Sequence, residues 1–202
     1  MSDAVSVQGL TKAYGGKIAV NNLSLSVSRG TVFGLLGANG AGKSTAIECI
    51  LGTKQADSGT VRLLGQEPQK SRRELFQHIG VQLQDGSYQR EIKVSELCRE
   101  TACLYRAPAD WRALCGQFGI GDKQNSFVKS LSGGERQRLF IVLALIPSPS
   151  LYFLTSSPPA LTQRPGETCG KHLKRLKSAA LRFFSRRTLW TRLRRCATKS
   201  VF

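Results

Sequence analysis

Apolar and polar residues alternate over Val5 to Val7 and again over Leu23 to Val27, the period of half-buried strands, with Arg29-Gly30 marking a turn after the second. Thr31 to Leu36 is a continuous apolar, β-favouring run that opens into a glycine-rich loop, and Lys43 to Leu51 then reads as a helix. A turn and strand over Asp57 to Val61, a loop over Gly65 to Gln69 and a short apolar strand over His78 to Gln84 follow. Between Glu91 and Tyr105, residues Val94, Leu97, Cys98, Ala102 and Tyr105 recur at helical spacing. Pro108 interrupts that pattern and Trp111 to Phe118 resumes it. Ser132 to Ile146 reads as one helix, apolar in its second half and ended by Pro147 and Pro149, and Leu151 to Leu154 reads as a compact buried strand. Past Leu154 the pattern stops. Ser156 to Pro159 is turn-like, and Lys171 to Arg195 mixes charges and bulky apolar residues at no period.

Charge changes at the same place. Residues 1–154 hold 18 Lys and Arg against 12 Asp and Glu, whereas residues 155–202 hold 12 against one, Glu167. Such a tail points either to a nucleic-acid or anionic-membrane patch or to a peptide whose composition serves no purpose. Apolar residues make up 41 % of the 202, enough for a core. The longest apolar run, Leu139 to Ile146, falls short of the roughly 20 residues of a membrane span, and no leader-like segment opens the chain, so a soluble intracellular protein is expected. Six cysteines (Cys49, Cys98, Cys103, Cys115, Cys169 and Cys196) include no Cys-x-x-Cys pair. They are expected to be reduced and mostly buried.

Two motifs carry chemistry. Gly37-Ala38-Asn39-Gly40-Ala41-Gly42-Lys43-Ser44 matches Gly-x-x-x-x-Gly-Lys-Ser in every fixed place and lies between a strand and a helix, the context a phosphate loop requires. Its glycines let backbone N–H groups turn around phosphate oxygens at the positive end of a helix. Lys43 supplies charge to the β- and γ-phosphates and Ser44 a hydroxyl for Mg²⁺, with Thr45 beside it. The second motif is Leu131-Ser132-Gly133-Gly134-Glu135. Alone it is a good capping turn, since Ser132 can accept from a helix N–H.

In this order the two motifs resemble the ATP-binding-cassette (ABC) family, specifically the nucleotide-binding domain of ABC transporters, over Ser2 to Leu154. The wording of Leu131 to Arg138, followed by Leu139 to Leu145, looks most like bacterial exporter ATPases of the drug or polysaccharide type. The resemblance implies an α/β fold: a mixed sheet around the phosphate loop, an antiparallel β subdomain and a helical subdomain over about residues 85–130, with the C-terminal part of the fold missing. It implies ATP and Mg²⁺ as cofactors, bound by Tyr14 stacking on adenine, by Gly37, Asn39, Gly40, Ala41, Gly42, Lys43, Ser44 and Thr45, and by Gln84. Ser44 and Gln84 would contact the metal. Register favours Gln84 over Gln82 for that role. Ser132, Gly133, Gly134 and Glu135 would reach, in trans, the nucleotide on a second copy. Implied partners are a membrane-spanning transporter subunit and a second nucleotide-binding domain, usually a homodimer, at the inner face of the cell membrane, with no specific nucleic acid.

One part of the family pattern is absent. The strand matching Leu151 to Leu154 ends, in the family, in a Mg²⁺-organising aspartate followed by the catalytic glutamate; here Thr155-Ser156 stands in those places. Neither side chain holds a charge or accepts a proton from attacking water. Synonymous codons for Thr155 to Thr162, read with one added G in front, give Asp-Glu-Leu-Thr-Thr-Gly-Leu-Asp. A base lost near codon 155 therefore accounts both for the missing carboxylates and for the unpatterned tail. The expectation is a partial nucleotide-binding domain over residues 1–154 and a basic, out-of-frame, poorly ordered tail over 155–202. The chain is then expected to bind nucleotide with little hydrolysis. Two alternatives are a non-catalytic ATP-binding module whose tail contacts nucleic acid, and a pseudogene product that folds poorly.

Overall fold

In the computed structural model, which describes residues 3–35, 40–82, 91–154, 180–183 and 199–201, the first alternating segments extend into a long antiparallel hairpin. Strands β1 (Asp3–Tyr14) and β2 (Lys17–Ser28) meet across Gly15-Gly16. Both glycines have positive φ, 53° and 83°, which matches the twist of paired strands in a two-residue turn. Val5 lies opposite Val27 and Val7 opposite Leu25, and all four are buried. The register slips between Val7 and Leu10, so Leu10 joins the buried face although strict alternation would turn it outward.

Strand β3 (Val32–Leu35) leads toward the glycine-rich loop, and helix α1 (Lys43–Ile50) follows it. Ala46, Ile47, Cys49 and Ile50 form the buried side of α1, which packs against β1, β2 and the next strand, β4 (Ser58–Leu63). β4 pairs antiparallel with the free edge of β1, Val5 opposite Leu63, giving the order β2-β1-β4. This antiparallel group belongs to a compact unit of Met1–Phe76 with Leu176–Phe202; a second unit comprises Gln77–Arg175. A single helical turn, α2 (Arg72–Leu75), closes the first segment.

In the second unit β5 (Ile79–Gln82) pairs in parallel with β6 (Leu151–Leu154), Ile79 opposite Leu151 and Gln82 opposite Leu154. Between them lie α3 (Val94–Cys103), α4 (Trp111–Gln117), two short 3₁₀ turns at Gly121–Lys123 and Val128–Ser130, and α5 (Gly133–Leu145). The start of α3 is held by Glu96, whose Oε2 accepts the Lys93 backbone N–H at 2.8 Å. That of α4 is capped by Asp110, which accepts from the Arg112 N–H at 2.9 Å. Val94, Leu97 and Cys98 on α3, Trp111 and Cys115 on α4, and Leu139, Val142, Leu143 and Ile146 at α5 share one apolar core. Cys98 and Cys115 share a hydrogen bond there, and that bond, with burial, pushes the Cys98 thiol up. Cys103 is exposed, and Cys169 and Cys196 lie outside the described residues. β5 meets α5 closely at Gly80, where a Cβ would run into the carbonyl oxygen of Ala144 and approach Tyr152 Cδ2 to 2.8 Å.

Among the described residues, the segments read from periodicity up to Leu154 are present; Leu36, Leu83 and Gln84, which close two of them, lie outside the described residues. The hairpin strands are longer than the alternation suggests because backbone pairing resumes beyond the irregularity at Asn21 and Asn22, with Lys12 opposite Val20, Ala13 opposite Ile18 and Tyr14 opposite Lys17. The pattern predicts no element past Leu154. The backbone nevertheless forms β7 (Ala180–Phe183) and β8 (Lys199–Val201), each parallel to β3 on opposite edges. Parallel pairing satisfies the N–H and C=O groups of β3 whatever the side-chain period of its partners.

Leu139 is fully buried among α3, α4 and α5, so Leu139→Ala should lower unfolding free energy by about 2–5 kcal/mol. Gly80→Ala should cost about 1–3 kcal/mol through overpacking. Gly116, within α4 with open space where its Cβ would go, should tolerate alanine and gain up to about 1 kcal/mol. Urea unfolding of the three variants followed by circular dichroism checks all of these; equal midpoints for Gly80→Ala and Gly116→Ala would refute the close contact.

Candidate nucleotide site

The glycine-rich loop enters α1 through Gly42, whose φ of 78° and ψ of 5° put it in the left-handed region. A Cβ at Gly42 would collide with the carbonyl oxygen of Ala19 on β2. Glycine is therefore required twice over, by conformation and by space. Gly40, at φ 81°, shares the left-handed geometry with nothing near its missing Cβ. Gly42 is the N-cap of α1, no side chain there accepts a hydrogen bond from the helix, and no acid occupies the first turn. The leading N–H groups of a helix so begun are those that bind anions. Lys43 and Thr45 are half-buried, and Ala41 and Ser44 exposed. Strand, left-handed glycine, basic residue and hydroxyl thus fit a phosphate with a bound divalent cation, which would neutralise phosphate charge. Gly37 and Asn39 lie outside the described residues.

Tyr14 stands at the tip of the β1–β2 hairpin, opposite Lys17, and is 44 % exposed. Ala19, which touches Gly42, lies two residues beyond Lys17 on β2, about 7 Å along the strand. One hairpin therefore contacts the phosphate-loop end and carries the tyrosine. The ammonium groups of Lys12 and Lys54 each lie 5.5 Å from the centre of the Tyr14 ring. Asp57 binds Lys12 at 2.6 Å and Glu48 binds Lys54 at 2.8 Å. The hydrogen bond to Lys12, then that from the Ala13 N–H, holds the Asp57 carboxyl below its ordinary range. The bond to Asp57 raises Lys12, and those to Glu48 and Tyr14 raise Lys54. Sequence reading missed Lys12, Lys54 and Asp57. Asp57 reads as an ordinary turn residue ahead of Ser58-Gly59, and only the fold brings it to the end of β1.

In the second unit Ser132 caps α5. Its Oγ accepts from the Glu135 N–H at 3.3 Å and donates to Glu135 Oε2 at 2.8 Å, while the Ser132 N–H donates to the same carboxylate oxygen at 2.8 Å. These bonds, led by that of the backbone N–H, hold the Glu135 carboxyl below its usual range. Arg136 donates to the carbonyls of Lys129 and Leu131 at 3.2 and 3.4 Å, fixing the approach to the helix. Ser132 and Gly133 are exposed and Gly134 and Glu135 half-buried. The capping turn expected of this motif is present, and it leaves its first residues at the surface.

Gln84, Thr155 and Ser156 lie outside the described residues. Gln82 ends β5 and is 3 % exposed, its Oε1 accepting from the Tyr152 hydroxyl at 3.4 Å. It is a structural link between β5 and β6. His78 is exposed, and its carbonyl accepts from the N–H groups of Ser150 and Leu151. Among the described residues no three His, Cys, Asp or Glu side chains gather as a metal cluster.

The sequence matches the ABC transporter family over residues 20–155. It is 34 % identical over 166 residues to the daunorubicin/doxorubicin resistance ATP-binding protein DrrA of Streptomyces peucetius, covering 80 % of this chain and 50 % of that one. It is 35 % identical over 152 residues to the Nod factor export ATP-binding protein I of Ralstonia nicotianae, covering 73 % and 47 %. The chain spans about half the length of these curated relatives. The fold matches that of a solved ATP-binding subunit of an ABC transporter with a TM-score of 0.85, at 21 % identity over 98 % of this chain and 85 % of that one. Phosphate-loop geometry, the capped Ser-Gly-Gly helix and the family match over residues 20–155 agree, and the chain belongs to the ABC transporter family.

Proposed function

We propose that the chain is the ATP-binding subunit of an exporter-type ABC transporter, and that it holds Mg-ATP without turning it over. The observation that carries the reading is the start of α1, where left-handed Gly42 hands an uncapped helix to Lys43 and Ser44. Gly37, Asn39, Gly40, Ala41, Gly42, Lys43, Ser44 and Thr45 bind the phosphates, Lys43 neutralises the β- and γ-oxygens, and Ser44 with Gln84 holds Mg²⁺. Tyr14 stacks on adenine. Ser132, Gly133, Gly134 and Glu135 close on nucleotide held by a second copy or a second nucleotide-binding domain. The two relatives named above, a drug-resistance and an export protein, support the exporter direction. On this reading the chain works against a membrane-spanning transporter subunit at the inner face of the cell membrane, and the family relation supports such a pairing. Among the described residues no helix is long and apolar enough to cross a membrane.

Hydrolysis is a separate matter. Thr155 and Ser156 follow β6 where the family carries its aspartate and glutamate, and the family match ends at residue 155. A positioned general base contributes about 10²–10⁴-fold to such a reaction, and a missing metal ligand lowers the rate further. The basic tail then adds charge without a specific nucleic-acid partner.

Titration with a fluorescent ATP analogue in Mg²⁺ should show saturable binding that Lys43→Ala weakens at least about tenfold, equivalent to about 1.4 kcal/mol, while circular dichroism is unchanged. Steady-state phosphate release by the unaltered chain should stay at the level of the Lys43→Ala variant. Turnover that depends on Lys43 would refute the loss of hydrolysis; absence of nucleotide binding would refute the reading as a whole.

A further inference from the structure

We propose that Asp57 is a positioning residue for the nucleotide base, acting by holding Tyr14 in its stacking place. The inference rests on ATP binding at the phosphate loop. The β1–β4 ladder ends, after a register shift beyond Gln8, at the pair Thr11 and Ser58. Asp57, one residue further out, continues it. Its backbone N–H donates to the Thr11 carbonyl at 2.9 Å, and its Oδ2 accepts the Ala13 N–H at 2.7 Å. Its Oδ1 accepts from Lys12 Nζ at 2.6 Å, and the same ammonium lies 5.5 Å from the centre of the Tyr14 ring. Asp57 therefore engages the three residues before Tyr14, Thr11 through its backbone and Lys12 and Ala13 through its carboxylate.

Without these bonds the Tyr14 backbone would be held only by its pairing with β2, through a two-glycine turn with φ of 53° and 83°, and its side chain by Lys54. Glycine turns leave the most conformational freedom to be lost on binding. The second ammonium beside the ring, Lys54, is tied to Glu48 on α1. The ring thus has a cation held from β4's approach and another from α1, and its direction is set before any base arrives. Preorganisation of this kind raises affinity by removing an ordering cost, with no new contact to the nucleotide. The carboxylate of the pair is exposed, Asp57 at 46 % against 17 % for Lys12, and pairs so open to water contribute little to global stability. Its loss should therefore appear in base recognition and leave folding nearly intact.

The test compares ATP with inorganic tripolyphosphate, which has the phosphates and no base, as competitors for the fluorescent ATP analogue in Mg²⁺. In the unaltered chain ATP should bind more tightly than tripolyphosphate. Asp57→Ala should weaken ATP by about three- to tenfold and change tripolyphosphate by less than about twofold. In a Tyr14→Ala background, Asp57→Ala should cost ATP nothing further, since the two act through one ring. Asp57→Asn keeps an acceptor for the Ala13 N–H and serves if the alanine variant does not fold, with a smaller loss again confined to ATP. Equal weakening of both ligands, or additive losses with Tyr14→Ala, would overturn the positioning role. Equal affinity of the unaltered chain for both ligands would overturn it too, while leaving the phosphate loop as an anion site. Failure of the unaltered chain to bind either would overturn ATP binding and this inference together.

Discussion

The contact between Gly42 and the Ala19 carbonyl is the constraint on which the first unit turns. It is backbone against backbone, with no side chain to adjust, so its geometry is copied into everything attached at either end. At one end α1 begins with left-handed Gly42 and sends its leading N–H groups past Lys43 and Ser44. At the other, Ala19 lies in a strand paired through Val20 to Lys12 and through Lys17 to Tyr14. On the proposed reading, phosphate and base are thus held from the same, turn end of one hairpin. Any substitution at Gly42 would part them, by moving either the helix or the strand.

Much of this was legible in the sequence, for reasons that differ between elements. α5 was legible because its apolar half is long and two prolines stop it, and its capping turn because Ser132 and Glu135 stand three apart. The phosphate loop was legible because its glycines are needed by the backbone itself, so spacing alone reports them. Leu10 shows the opposite case: a slip in register turned it inward, and alternation cannot anticipate a slip. Asp57 was illegible as a site residue. Its partners are Lys12 and Ala13, more than forty positions earlier, and only β4's antiparallel docking on β1 brings them together. β7 and β8 were illegible because they complete β3 by backbone pairing, which leaves no required side-chain period.

The same distinction separates binding from hydrolysis in this chain. Phosphate binding relies on backbone N–H groups, one lysine and one hydroxyl, and the described part of that machinery is in place. Hydrolysis relies on carboxylates immediately after β6. That strand itself is sound: Leu151 to Leu154 pair in register with Ile79 to Gln82, and Tyr152 is hydrogen-bonded to Gln82. β6 therefore runs parallel to β5 toward the carboxyl ends of the strands, where such sheets place their chemistry, and in the sequence Thr155-Ser156 comes next. A hydroxyl can donate to or accept from water, but at neutral pH it neither carries the charge that organises Mg²⁺ nor retains a proton taken from a nucleophile. On the proposed reading, the exchange of two carboxylates for two hydroxyls removes the reaction while the strand pairing up to Leu154 and the start of α1 remain.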